Sequence, residues 1–89
     1  MNGSSAHPVP LDQLPEERWA SVVDVVVPIN NRDRGLVLRL VELGFVPGER
    51  VCVVAVGRPG REPLAVRVGH TTFALRRHEA SFIRVILQP

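Results

Sequence analysis

The apolar positions of this chain follow two different periods. Leu36, Leu40 and Leu43 recur at i, i+4 and i+7, and Val37 and Val41 widen them into one stripe, the spacing of a helix with one buried face. Asn30 or Asn31 stands where a side-chain oxygen caps the first turn, and Asp33 sits favourably near the positive helix end. Gly44 follows the stripe at the place where helices end in a left-handed residue, a conformation glycine adopts without steric cost. Phe45 or Val46 is then positioned to fold back on the last turn. Pro47-Gly48 supplies the fixed φ and then the positive φ of a type II turn. The run Val51 to Val56 follows at once as a strand. A helix delivered this abruptly into a strand belongs to a small α+β barrel more than to a bundle or a βαβ unit.

Elsewhere the period is two. Val22 to Val27 is rich in β-branched residues and predicts a first strand, ended by Pro28. Gly57 to Pro63 is a glycine- and proline-rich loop. Leu64, Val66 and Val68 alternate with smaller or charged residues, Gly69-His70 is a two-residue hairpin connection, and Phe73 and Leu75 on the return strand face the core. His78 to Ser81 predicts a single helical turn. Phe82 to Leu87 predicts a last strand with Ile83, Val85 and Leu87 inward. Leu14 to Trp19 fits a short helical turn with Pro15 at its first position, and residues 1–10 fit a mobile tail. The expected organisation is a flexible N-terminal tail over 1–18 and one domain over 19–89. The expected fold class is mostly β with one or two short helices, a small five-stranded and partly open barrel.

Composition narrows the function. Eighty-nine residues make one domain that buries only about 60–65% of its unfolded surface, a thin core with little room for a catalytic cleft. With 45% hydrophobic and 22% charged residues the chain is globular. No apolar run reaches the roughly 20 residues of a membrane span. The N-terminus lacks the basic and apolar regions of a signal peptide, so none is expected. Cys52 is the single cysteine, which excludes an internal disulfide framework and fits a reducing, cytoplasmic location.

The charge is unusual in kind. All eleven basic residues are arginine, against nine acids, for a net charge of +2. The pI near 10.0 partly reflects the high pKa of arginine. A pI above about 9 is a nucleic-acid cue when the arginines cluster. Here most have an acid beside them, as in Glu17-Arg18, Arg32-Asp33-Arg34, Glu49-Arg50 and Arg61-Glu62. Three phenylalanines, one tryptophan and no tyrosine leave few stacking residues for single strands, and Phe73 and Phe82 read as core. Nucleic acid is thus an unlikely partner.

The segment Leu40-Val-Glu-Leu-Gly-Phe-Val-Pro-Gly-Glu-Arg-Val51 resembles the leucine-x-x-leucine-glycine-x-x-proline-glycine-x-x-valine signature of FeoA domains, the family of ferrous-iron-transport protein A. The loop Pro59 to Pro63, then Leu75-Arg76, Ala80 and Ile83-x-Val85, resemble the family's later motifs. The likeness runs from about residue 20 to 87. It departs where Arg61 stands between Gly60 and Glu62-Pro63, and residues 1–18 are longer than the family usually needs. The resemblance implies an SH3-like barrel. It also implies a cytoplasmic accessory role beside FeoB, the ferrous-iron permease with a G-protein domain. The same fold closes iron- and manganese-dependent repressors similar to DtxR, whose preceding domains do not fit in the twenty residues available, so a stand-alone module is expected. The alternative is a nucleic-acid-associated or repressor-type regulatory module.

No catalytic residues are predicted, since no GxSxG, HExxH or Walker pattern occurs, and no cofactor is expected. His7, Cys52, His70 and His78 are the soft ligands available, none at metal-binding spacing, so no metal site is assigned. Partner binding falls to the arginines. Arg32 and Arg34 stand in the first helical turn, where positive charge opposes the helix dipole, and Arg39 has Glu42 at i+3. Arg76-Arg77 beside the late turn and Arg58 and Arg61 in the long loop are the other candidates. Oligomeric state is not legible.

Overall fold

Helix α1 runs from Asn31 to Leu43 in a computed structural model that describes residues 7–88. Asn30 is its cap: the Asp33 N–H donates to Asn30 Oδ1 at 2.9 Å, satisfying one of the free donors of the first turn. At the other end Gly44 takes φ 117°. Its N–H donates to Val41 at 3.0 Å, and the Phe45 N–H donates to Leu40 at 3.1 Å, the paired bonds of a Schellman motif. A Cβ on Gly44 would meet only Val68 Cγ2 at 3.7 Å. Glycine is therefore required there by the backbone angle and not by lack of space. The reversal sends Phe45 into the core, 0% exposed. Val46 to Glu49 then turns tightly, closed by the Glu49 N–H on the Val46 carbonyl at 3.0 Å, with Gly48 at φ 91°.

Six strands form one antiparallel sheet: β1 (Val9–Pro10), β2 (Trp19–Val25), β3 (Arg50–Val56), β4 (Leu64–Val68), β5 (Thr71–Leu75) and β6 (Ile83–Leu87). Their order is β1-β6-β2-β3-β4-β5. The sheet curls around the core without closing, because β1 and β5 end it and do not pair. The five-stranded expectation is corrected to six by β1, which pairs with β6 through Val9↔Val85 and Pro10↔Arg84. The expected first strand, Val22–Val27, is β2 at Trp19–Val25. Its pairing begins at Trp19↔Cys52, and beyond Val26, whose N–H still donates to Phe82 at 2.8 Å, Pro28 has no N–H to extend the ladder.

Bulges interrupt the ladders between Val22 and Asp24 and between Val53 and Ala55. The second one splits the apolar run of β3. Val51, Cys52 and Val53 are buried, whereas Val54 and Ala55 are exposed. An inserted residue bends the strand and breaks strict alternation, so the run is buried only over Val51 to Val53. Leu87, the last residue of β6, is likewise exposed and not inward.

The expected N-terminal tail over 1–18 needs the largest correction. Residues 1–6 lie outside the described residues, but Leu11–Gln13 forms a 3-10 turn closed by the Leu14 N–H on the Leu11 carbonyl at 3.1 Å. Eclipsed i and i+3 positions of such a turn point the same way, so Leu11 and Leu14 enter the core together, 0% and 1% exposed. Leu14 to Trp19 is not a helical turn. Glu17 takes φ 64°, and its N–H donates to Val53 at 2.7 Å, tying the segment to β3. No charged or polar residue is buried among the described residues.

Replacing Leu14 by Ala is expected to cost about 2–5 kcal/mol, the range for truncating a buried leucine. Urea unfolding followed by circular dichroism measures it. A cost under about 0.5 kcal/mol would return this segment to the status of a loose tail.

Candidate partner-binding surface

Helix α1 divides two hollows. On one side Leu36, Leu40 and Leu43 face β5 across a cavity of about 440 Å³, whose other wall is Phe73, Ala74, Leu75 and Arg76. The short helix α2 (Arg77–Ala80) closes its end. Arg39 and Arg76, assigned to separate clusters in the sequence, line this one cavity together. Its carboxylate, Glu79, is already engaged: Oε1 accepts the Arg76 N–H at 2.7 Å and so caps α2. On the other side of α1, Val27, Pro28, Arg34, Val37 and Leu38 line a cavity of about 270 Å³. Positions 34, 37, 38 and 41 share one helix face, so Val41 belongs to an outward stripe and not, as expected, to the core stripe. Val27 is 69%, Ile29 97% and Leu38 64% exposed. Exposed apolar side chains gathered at a hollow, as Val27 and Leu38 are, mark a contact surface more often than chance exposure does. Arg34 lines this hollow, and Arg32, also exposed, stands two residues before it on α1.

The remaining arginines divide. Arg58 and Arg61 line a third hollow, about 270 Å³, with Glu16 and the loop that begins at Gly57. That loop has a narrow neck: the Gly57 N–H donates to Pro63 at 2.9 Å, and a Cβ on Gly57 would lie 2.1 Å from the Glu62 carbonyl oxygen. Only glycine fits. Arg61 Nη2 donates to the Asp12 carbonyl at 3.4 Å, Arg77 Nη2 lies 3.8 Å from Asp12 Oδ2, and the Arg77 N–H donates to Glu62 Oε1 at 2.9 Å. Arg61 and Arg77 thus clasp the N-terminal turn. Their sequence neighbours gave no sign of this, because Asp12 lay in the segment read as tail.

The soft ligands stay apart. His7 and His70 are exposed, and no group of three or more His, Cys, Asp or Glu able to hold a metal occurs among the described residues. Cys52 is buried in β3, where burial pushes its thiol up, Glu17 adds to the rise and Arg67 opposes it. Two pairings were missed in the sequence. Asp24 and Arg84 face each other across β2 and β6 and form a bidentate ion pair. The Arg50 guanidinium lies 4.8 Å from the centre of the Trp19 ring, within cation–π reach. Opposite charge and aromatic–cation contacts are visible only once the register is known.

A family model described as the FeoA domain matches residues 9–87. The chain belongs to the FeoA family. No curated protein sequence matches it. Among solved structures it is similar to Stenotrophomonas maltophilia FeoA complexed with zinc, a prokaryotic SH3-domain protein advanced as a ferrous iron transport activating factor. The two are 43% identical over 92% of this chain and 89% of that one, with a TM-score of 0.74. The FeoA protein of Chlorobium tepidum is 27% identical, covers 91% of this chain and 71% of its own, and has a TM-score of 0.73. IdeR of T. acidophilum, at 16% identity over 98% of this chain and 37% of that one and a TM-score of 0.73, shows the shared fold alone. The FeoA model begins at Val9, so β1 and the turn after it are part of the family domain and not an extension of it. No helix among the described residues is long and apolar enough to cross a membrane.

In this FeoA domain one polar contact ties α1 to α2. His78 Nε2 lies 3.1 Å from Asp33 Oδ1, and the His78 ring meets Phe82 edge-on at 5.0 Å. The hydrogen bond from His78 holds the Asp33 carboxyl below its ordinary 3.8; burial opposes this, while Asn30 and the charges of His78 and Arg32 assist. Because the folded value is the lower one, the contribution to stability is complete above pH 3.8 and is lost as pH falls through the lowered value. His78→Ala is expected to lower the unfolding free energy above pH 3.8, with the gap to the parent closing in more acid solution. Carboxyl NMR should find Asp33 moved up toward 3.8 in the variant; an unmoved Asp33 would show that other groups hold it down.

Proposed function

We propose that this FeoA-family chain is a non-catalytic, cytoplasmic accessory of ferrous iron uptake that binds the cytoplasmic side of a FeoB-type membrane permease. One observation carries the reading: Val27 and Leu38 are left exposed around a hollow that Arg34 also lines, with Ile29 exposed two residues after Val27 and Arg32 exposed in the same helical turn as Arg34. Water-exposed side chains of this size gain roughly 1.5–3 kcal/mol each when a partner fully buries them. The arginines add electrostatic steering toward an acidic surface and raise the rate of encounter. Their place in the first turn of α1 costs a few tenths of a kcal/mol each against the helix dipole, a cost that an acidic partner reverses. Family membership supplies the iron-transport context, and the work is done by surface complementarity.

Ile29→Asp and Leu38→Glu change exposed positions, so the melting temperature is expected to hold, with stability within about 0.5 kcal/mol. Retention of the permease's cytoplasmic domain in a pull-down at low salt is expected to fall roughly tenfold or more, as is retention by the Arg32→Glu, Arg34→Glu double variant. Undiminished retention by all of these folded variants would reject the surface. Tight DNA binding with a steep salt dependence would instead favour the nucleic-acid module.

A further inference from the structure

The two ends of the sheet are unequal. At one end β1 is two residues long and one of them is Pro10, which has no N–H to offer a further strand. At the other end β5 reads Thr-Thr-Phe-Ala-Leu, with no proline, no charge and no bulge in its ladder with β4. Edges of that kind pair with other chains unless they are blunted or covered.

The register identifies which of its groups are free. The two-residue connection Gly69-His70 closes on Val68↔Thr71 as a hydrogen-bonded pair. Phe73 and Leu75 therefore also bond to β4, and the N–H and C=O groups of Thr72 and Ala74 point the other way. Among the described residues no other element supplies a backbone bond to them. The 440 Å³ cavity lies along this edge, since three consecutive residues of β5, Phe73 to Leu75, line it although strand side chains alternate between faces. Across it stand the apolar flank of α1 and Arg39. The place offers unpaired backbone groups, apolar walls and two guanidinium groups, with its one carboxylate occupied in capping α2.

We infer that β5 is a docking edge. An extended partner segment pairs with Thr72 and Ala74 as an added strand, sets an apolar side chain against Leu36 and Phe73, and sets a carboxylate against Arg39 and Arg76. Main-chain bonds give such a complex affinity and the alternating side chains give it specificity. The inference rests on the proposed role as a partner-binding module and names the chemistry of the segment bound.

The probe is a terminally blocked Thr-Val-Thr-Glu-Thr peptide, whose valine and glutamate share one strand face, titrated into isotope-labelled protein. Shifts and slowed amide exchange are expected at Thr72 and Ala74. Binding should weaken roughly tenfold for Arg39→Glu or Arg76→Glu and for a Thr-Val-Thr-Lys-Thr peptide. It should vanish when alternate peptide nitrogens are methylated, a control that leaves the protein untouched. Equal binding of the methylated or the lysine peptide would overturn the inference, as would no response at β5 up to millimolar peptide. Concentration-dependent protection of β5 without peptide would assign the edge to a second copy of this chain and reject the acidic segment. If the permease domain is retained while β5 amides stay unmoved, the inference fails and the proposed function stands. If the peptide pairs with β5 but the permease domain is not retained, the edge serves another partner and the proposed function fails.

Discussion

The left-handed turn at Gly44 is the constraint from which the rest of the molecule follows. With φ at 117°, the chain leaves α1 in a direction that lets Phe45 bond back to Leu40 and still bury its ring. A residue with a Cβ resists that angle. The reversal also places the Val46–Glu49 turn beside β2, where the Val22 N–H donates to Glu49 at 2.8 Å and the Gly48 N–H donates to Val22 at 2.8 Å. Those two bonds hand the chain to β3. One backbone angle thereby positions helix, turn and central strands together.

That corner determines what the surface can present. Because α1 is held at one end by its corner and near the other by Asp33 against His78, both of its ends are tied to other elements. Its inward residues, Leu36, Leu40 and Leu43, pack on the core. The flanks left over become the walls of two hollows, one apolar with Arg34 and one edged by Arg39 and Arg76. Rigid helices and strands hold such surfaces better than loops do.

The corner was legible in the sequence because each of its parts is local. A cap, a leucine spacing, a glycine stop and a Pro-Gly turn each act within a few residues, and the helix runs between the residues those signals mark. The N-terminal turn was not legible. Leu11 and Leu14 are two apolar residues among prolines and acids, too few for a period, and they are recruited only because the open side of the curled sheet needs filling. The bulge in β3 was hidden for a related reason, since an unbroken run of valines does not say where alternation fails. The arginines were found as residue types but not as roles. Asp12 takes up Arg61 and Arg77, while Arg39 and Arg76 meet across a cavity that exists only after β5 folds back beside α1.

The inequality between the two ends of the sheet limits what assemblies are possible. Growth of an open-ended stack requires each unit to offer a competent edge on both sides, one to accept a neighbour and one to pass the pattern on. Here one margin is a two-residue strand containing proline, so a strand added at β5 has nowhere to propagate through this molecule. Pairing through β5 is self-terminating: it allows one added strand per molecule, or a closed two-fold pair.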